Sequence, residues 1–285
     1  MKILLVYKMS TYDYYRRTGR TLSSGSCRFN RKRFIETHQR HYHTLAAVEN
    51  FLRSKHAPYH KIWRGRRTNY AKFDLLITVG GDGTFLEAAR YAEHQPVLGI
   101  NSDPRWSVGR YCAAEPKNFK NAITKILSGH FKINRLTRLI LIKNSHQQRI
   151  RITNDALICH RIPASMSRYR IRVGRICEEQ RGSGIWISSA AGSSSAIHSA
   201  GGRLIPWTSK KWQYLPRELY CGLCKQYRLK GGILRPGQSI TIESLMKDGM
   251  IYADGAHYQI TFGIGTKITI KQSQQPLNQI IMKNQ

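Results

Sequence analysis

The chain has 285 residues, 41 % of them hydrophobic, which is enough to enclose a core and excludes collagen-like, disulfide-scaffold and mostly disordered classes. Its 47 Lys and Arg against 16 Asp and Glu leave a formal charge of +31, so its surface attracts polyanions: nucleic acid, anionic membrane or phosphorylated small molecules. The length allows one large domain or two smaller ones.

Residues 2–8 form an apolar run that is too short for a signal peptide and lacks a small-residue cleavage site, so they predict a buried strand. No stretch approaches the ~18 to 20 apolar residues needed to span a bilayer, which predicts a soluble, cytoplasmic protein without membrane contact. Residues 11–33 mix Tyr12, Tyr14 and Tyr15 with Arg16, Arg17, Arg20, Arg28, Arg31 and Arg33 around a Ser/Gly stretch at 23–26. They read as a mobile flap or long loop. Residues 34–55 can be helical, with Phe34, His41, Leu45, Val48 and Leu52 on one face. The run His38 to His43 reads as a solvated helix face, because no Asp, Glu or Cys completes a metal-ligand cluster.

Phe73 to Val79 is a second apolar strand, followed by a Gly-rich turn, a helix from about Phe85 to Ala92, and a third strand from Val97 to Ile100. That succession predicts an α/β layer with a parallel sheet. Residues 116–129 predict another helix, ending at Gly129. Beyond it, strand-like runs dominate: 139–142, 150–158, 169–173, 185–188, 240–242, 250–253, 258–262 and 267–270. The fold class is therefore a Rossmann-like α/β N-terminal domain, residues 1–103, plus a β-rich C-terminal domain, residues 104–271, with the tail 272–285 able to pack back on the first. Of Cys27, Cys112, Cys159, Cys177, Cys221 and Cys224, only the last two form a C-x-x-C pair, and ordinary reduced cysteines are expected.

The sharpest motif is Gly80-Gly81-Asp82-Gly83-Thr84, between a strand and a helix. Glycines permit positive φ and close backbone approach, and a helix N-terminus suits phosphate. Asp82 amid such glycines has three readings: general base for a hydroxyl attacking a phosphoryl group, a Mg²⁺ holder, or a helix cap. Asp103, Arg105 and Trp106 follow the third strand, where open α/β sheets place functional groups, or else simply shape a turn. Arg203 could reach a phosphate or be one more surface cation.

At this turn the sequence resembles the NAD kinase family, and lipid kinases of the diacylglycerol and sphingosine type share the turn. Further residues favour NAD kinases: Gly99-Ile100-Asn101, Asn154-Asp155, Gly192-Ser193, Ser199-Ala200-Gly201-Gly202 and Asp254-Gly255, in the family's order across the whole chain. Gly99 to Pro104, Lys8 and Thr11-Tyr12 are similar to the mitochondrial-type branch. The resemblance implies an NAD kinase-like fold and an enzyme that transfers a phosphoryl group from ATP, another triphosphate or polyphosphate to the adenosine 2′-hydroxyl of NAD, making NADP. It implies a divalent metal, Mg²⁺ or Mn²⁺, carried by the nucleotide with no protein side chain assigned to it. A homodimer or homotetramer is expected.

Carried over by resemblance, Asp82 would deprotonate or orient the ribose hydroxyl, while Gly81, Gly83 and Thr84 would line the donor phosphates. Asn154 and Asp155 would hold adenosine, Arg110 and Tyr111 would lie beside the adenine, and Ser194, Ser195 and Ser199 would line NAD. The chain departs from the family with Asp155 for Glu, Ala196 for an aromatic, and Ser183-Gly184 for Asp-Gly. These changes leave phosphoryl transfer in place and bear on the choice between NAD and NADH. Two alternatives remain: a lipid kinase, which does not account for Gly99-Ile100-Asn101 or Asn154-Asp155, and a basic nucleic-acid-binding protein, for which no RRM, KH, helix-turn-helix or zinc-finger signature is present. No specific nucleic-acid partner is expected, although the excess charge predicts weak, salt-sensitive adhesion to DNA or polyphosphate.

Overall fold

A computed structural model describes residues 1–19, 28–222 and 226–282. In chain order the first part contains β1 (Ile3–Tyr7), α1 (Thr11–Arg17), α2 (Arg28–Ser54), β2 (Tyr59–Trp63), β3 (Leu75–Gly80), α3 (Asp82–Tyr91), β4 (Pro96–Asn101), α4 (Phe119–Leu127) and β5 (Lys132–Leu136). There follow β6 (Leu139–Lys143), β7 (His146–Ile152), β8 (Asp155–His160), β9 (Ser167–Val173), β10 (Ile176–Gly182), β11 (Gly184–Ser188) and the one-turn α5 (Ala196–Ser199). The remainder is β12 (Trp212–Arg217), β13 (Gly232–Leu234), β14 (Ser239–Ser244), β15 (Gly249–Ala253), β16 (Gln259–Thr261), β17 (Lys267–Gln272) and β18 (Leu277–Ile281).

The chain divides into two compact units, Met1–Asn134 with the terminal segment from Asn278, and Arg135–Leu277. The sequence expectation drew the line at 103/104. Residues 104–134 belong to the first unit because Ala114 bridges to Ile100 and α4 packs its apolar face on α2. The tail returns as β18, whose Asn278 and Gln279 pair in parallel with Pro96 and Val97.

The first unit is a six-stranded sheet in the order β2-β1-β3-β4-β18-β5. Parallel strands covered on both faces have no polar side, and β3 is accordingly buried along its whole length. Ile3, Leu5, Leu75, Ile77 and Val79 share one core with Leu45, Val48 and Leu52 of α2 and with Phe119, Ala122, Ile123 and Ile126 of α4. The alternate residues Leu4, Val6 and Leu76 are just as buried.

The second unit holds two antiparallel six-stranded sheets, β10-β9-β14-β17-β6-β7 and β13-β12-β11-β8-β15-β16. One-sided burial gives strict alternation: in β9, Tyr169 and Ile171 are buried while Arg168, Arg170 and Arg172 face water.

Four expectations change. Residues 11–17 are not a loop but α1, whose Ser10 hydroxyl caps the Asp13 N–H at 3.1 Å. Asp13 is buried, accepts from the Tyr42 hydroxyl at 2.9 Å and pairs with Arg17 at 3.2 Å, which docks α1 on α2. The long helix starts at Arg28 rather than near Phe34; residues 20–27, with Cys27, lie outside the described residues, as does Cys224 of the C-x-x-C pair. Residues 150–158 are parts of two strands, β7 and β8, in different sheets. Finally, the His-rich stretch is not a solvated face at His41, which is fully buried between the Ser102 hydroxyl (2.9 Å) and the Lys8 carbonyl (2.8 Å).

Candidate active site

The Gly-rich turn joins β3 to α3. Gly81 is the residue before the helix, and Asp82 is the first helical residue. None of Gly80, Gly81 and Gly83 has positive φ, so the expected conformational reason for these glycines does not apply. Close approach does. A Cβ on Gly80 would strike the Thr84 side chain, one on Gly81 would strike the Ser107 hydroxyl, and one on Gly83 would sit 3.0 Å from Arg64 Nη1. The turn is therefore flanked by a hydroxyl and a guanidinium. The first N–H groups of α3 have no partner within the helix, and the helix dipole adds partial positive charge there. This is a surface suited to phosphate.

Asp82 does not cap its own helix. Its carboxylate accepts the Tyr111 N–H at 2.8 Å on one oxygen and the Arg110 N–H at 3.1 Å on the other. Two donors 28 and 29 residues away hold the carboxylate in one orientation. Gly109, at φ +63°, turns the chain so that these N–H groups point back, and a Cβ there would strike the Asn101 amide. Asn101 in turn donates to the Ser107 carbonyl at 2.8 Å. The Gly99-Ile100-Asn101 element thus braces the loop that braces Asp82.

The other residues assigned to this unit fare differently. Thr84 is buried under Gly80, and its hydroxyl has no hydrogen-bond partner among the described residues. The Tyr111 ring, expected beside an adenine, is 3 % exposed and stacks on Phe85 with centroids 5.2 Å apart. An aromatic so packed belongs to the core, and what Tyr111 brings to Asp82 is its backbone N–H. Arg110 is exposed. Trp106 is exposed and carries the Arg33 guanidinium 3.8 Å above its ring. Asp103 is buried and lies 3.5 Å from Arg40.

Sequence reading did not select Arg64 or Ser107. Arg64 follows β2, which was not foreseen, so nothing in its local pattern places it against Gly83. Burial lowers the Arg64 guanidinium from its ordinary range, the Glu87 carboxylate opposes that shift, and Arg90 adds to it. Lys8, at the end of β1, is likewise lowered by burial; Asp103 works against the shift and Arg64 with it.

The second unit gathers Asn154, Asp155 and Ser195. Asp254, buried at φ +49°, accepts the N–H groups of Thr153 (3.1 Å) and Asn154 (2.7 Å), which ends β7 and turns the chain into β8. Gly192 lies on this corner so tightly that a Cβ would collide with the Asn154 carbonyl. Ser189 ties it further, donating to the Thr153 carbonyl at 2.5 Å and accepting the Gly192 N–H at 3.1 Å. Asp155 receives the Ser195 hydroxyl at 2.5 Å and the Asn154 amide at 3.2 Å. Burial pushes the Asp155 carboxyl above its ordinary value, and the Ser195 hydrogen bond partly offsets this. Ser194 is half-buried beside Ser195, whereas Ser199 is exposed at the end of α5. Arg203 is exposed and is tied through its backbone to Gln213 at 3.0 and 2.7 Å.

Comparison with known proteins identifies similar chains and folds. Residues 6–131 match the family described as the ATP-NAD kinase N-terminal domain. A protein of Oryza sativa subsp. japonica described as a probable NADH kinase is 31 % identical over 267 residues, covering 86 % of this chain and 82 % of that protein. Among solved structures, an NAD kinase from Archaeoglobus fulgidus in complex with ATP superposes with a TM-score of 0.70 at 20 % identity, covering 100 % of this chain and 94 % of that one. Yeast NADH kinase complexed with NADH gives 0.71 at 16 % identity, covering 100 % and 84 %.

Proposed function

The chain belongs to the NAD kinase family, and from that membership we propose that it is a phosphotransferase that moves the terminal phosphoryl group of ATP to the adenosine 2′-hydroxyl of NAD, making NADP. The observation that carries this reading is Asp82, a carboxylate at the start of a helix, among glycines, with both oxygens oriented by backbone N–H groups.

Donor phosphates would lie on the N-terminal N–H groups of α3, against Gly81 and Gly83, where Arg64 and the Ser107 hydroxyl flank the turn. Thr84 acts from beneath, filling the space under Gly80. Asp82 accepts a hydrogen bond from the attacking hydroxyl and takes its proton as the new O–P bond forms and the bond from the γ-phosphorus to the bridging oxygen breaks, which releases ADP. In the second unit, Asp155 and Asn154 offer a carboxylate and an amide to the nucleoside, with Ser195 fixing the carboxylate.

A divalent cation fits as companion of the nucleotide. Among the described residues no three His, Cys, Asp or Glu side chains form a cluster, and Mg²⁺ characteristically keeps water and phosphate oxygens as ligands. It would be held through the donor phosphates received at Gly81 and Gly83, and when bound it neutralises charge on the transferred group.

The test is an activity matrix on the purified full chain: ATP and polyphosphate as donors against NAD and NADH as acceptors, with Mg²⁺ or Mn²⁺. NADP or NADPH formation is expected. Asp82→Asn is expected to lower kcat about 10² to 10⁴-fold with ATP affinity retained, and Arg64→Met to raise KM for ATP with a smaller effect on kcat. A folded protein that phosphorylates neither acceptor with any donor would refute the reading.

A further inference from the structure

The second unit contains a cavity of about 1020 Å³ that none of the residues assigned above lines. Its walls come from the start of β6, from β7, from the segment around Thr208 to Lys210, from the turn at Pro236 to Gln238, and from Lys271 to Pro276. These walls are fixed. Arg138 is fully buried and donates to the carbonyls of Gln275 and Pro276, each at 3.1 Å. Ser273 returns its N–H to the Arg138 carbonyl at 2.8 Å, and the Thr137 hydroxyl donates to the Ser209 carbonyl at 3.0 Å.

Four cationic side chains line it: Arg135, Arg151, Lys210 and Lys271. No Asp or Glu is among the described lining residues. None of the four cations makes an ion pair among the described residues; Arg151 donates to the neutral amide oxygen of Gln275. The remaining polar lining consists of amides and hydroxyls, which donate to phosphate oxygens without adding negative charge. No aromatic ring is present in the described lining, so the stacking platform on which single-stranded nucleic acids depend is missing from it.

We propose that this cavity is a binding site for an anion carrying several linked phosphate groups, separate from the kinase site and recognised by charge and hydrogen bonding rather than by a base. Four uncompensated cations around one concave volume that opens to solvent suit a short oligophosphate chain. A single phosphate would leave most of that charge unused, and a nucleobase would find no ring to stack on.

Calorimetric titration of the full chain with inorganic tripolyphosphate tests this. The protein is first saturated with a non-hydrolysable ATP analogue so that the α3 turn is filled. One tripolyphosphate per chain is expected, with affinity falling steeply as salt rises. The triple variant R135Q/K210Q/K271Q is expected to weaken that binding roughly tenfold or more, with unchanged kinase rates and unchanged thermal unfolding. A second arm uses a twelve-residue oligothymidylate. Tighter binding of that strand through the same three residues would overturn the oligophosphate assignment in favour of nucleic acid. Loss of all tripolyphosphate binding once the analogue is bound, or equal affinity in the triple variant, would overturn the site itself. The proposal does not depend on the kinase reading: if the analogue does not bind, the titration is run without it, and the variant still decides.

Discussion

His41 shows how one buried side chain carries both stability and site geometry. Its Nε2 meets the Lys8 carbonyl at 2.8 Å and must carry the proton, which leaves Nδ1 to accept from the Ser102 hydroxyl at 2.9 Å. It thereby joins α2 to the chain just beyond β1 and β4, next to the Gly-rich turn. Burial first, and then the Lys8 charge, pulls its pKa from 6.5 down to about 3. The folded state thus binds this proton less well than the unfolded state does. The stabilisation is fully present above pH 6.5 and is lost as pH falls from 6.5 toward 3, at about 1.4 kcal/mol per pH unit. Urea unfolding of His41→Gln is expected to show lower stability at pH 8 and a shallower fall than the parent chain between pH 6.5 and 5.5. An equal slope in both proteins would mean that His41 is not the group responsible. The sequence placed His41 on the apolar face of its helix and yet read the run His38 to His43, His41 included, as a solvated face. Periodicity marks the face a residue occupies, whereas the partners that satisfy a buried imidazole come from strands 33 and 61 residues away.

At the scale of elements, Gly80, Gly81, Gly83 and Gly192 shape the candidate site through close approach rather than left-handed backbone, which in these segments is confined to Gly201 at φ +99°. At Gly192 the constraint is the Asn154 carbonyl, so Gly192→Ala must push the 153–155 corner off Asp254. A cost of about 2 kcal/mol or more is expected, with weakened NAD binding, since Asp155 and Ser195 lie on the two segments being separated. Gly174 supplies the comparison. It lies between β9 and β10 at φ +56° with open space around it, so Gly174→Ala should cost only about 1 kcal/mol and leave NAD binding unchanged. Differential scanning fluorimetry with an NAD titration separates the two; equal effects would remove the packing argument. The strand-turn-helix character of Gly80 to Thr84 was legible in the sequence because it is local. The reason for its glycines was not, because Ser107 and Arg64 reach it from other elements.

For the molecule as a whole, the 16 acidic residues cannot compensate 47 basic ones, so repulsion within the folded state outweighs the gain from exposed ion pairs. Added salt shortens the Debye length to about 10 Å at 0.1 M and should relieve that repulsion. The unfolding temperature is accordingly expected to rise by several degrees between about 0.02 and 0.3 M NaCl. A temperature that stays level or falls would show that exposed ion pairs such as Lys61–Glu49 (2.9 Å) and Arg170–Glu243 (3.0 Å) dominate instead. The charge itself is not spread at random: β9 alone points Arg168, Arg170 and Arg172 outward, and the cavity in the second unit collects four more cations.

Whereas the Asn154-Asp155 pair was picked out by family resemblance alone, short-range pattern is enough to reveal the apolar parallel strands β1, β3 and β4, the alternating strands of the second unit and the turn at Asp82, because each depends on side chains a few residues apart. It did not reveal α1 or β2, whose polar side chains are stabilised by docking: Asp13 by Tyr42 and Arg17, and the strand Tyr59–Trp63 by its pairing with β1. Nor did it reveal that 150–158 breaks at the Asp254 carboxylate, that Tyr111 serves through its backbone, or that Arg64 lies over Gly83. Each of these joins residues about 20 to 100 positions apart. Such neighbours are created by chain topology and by the need to satisfy buried polar groups, and no local periodicity encodes them.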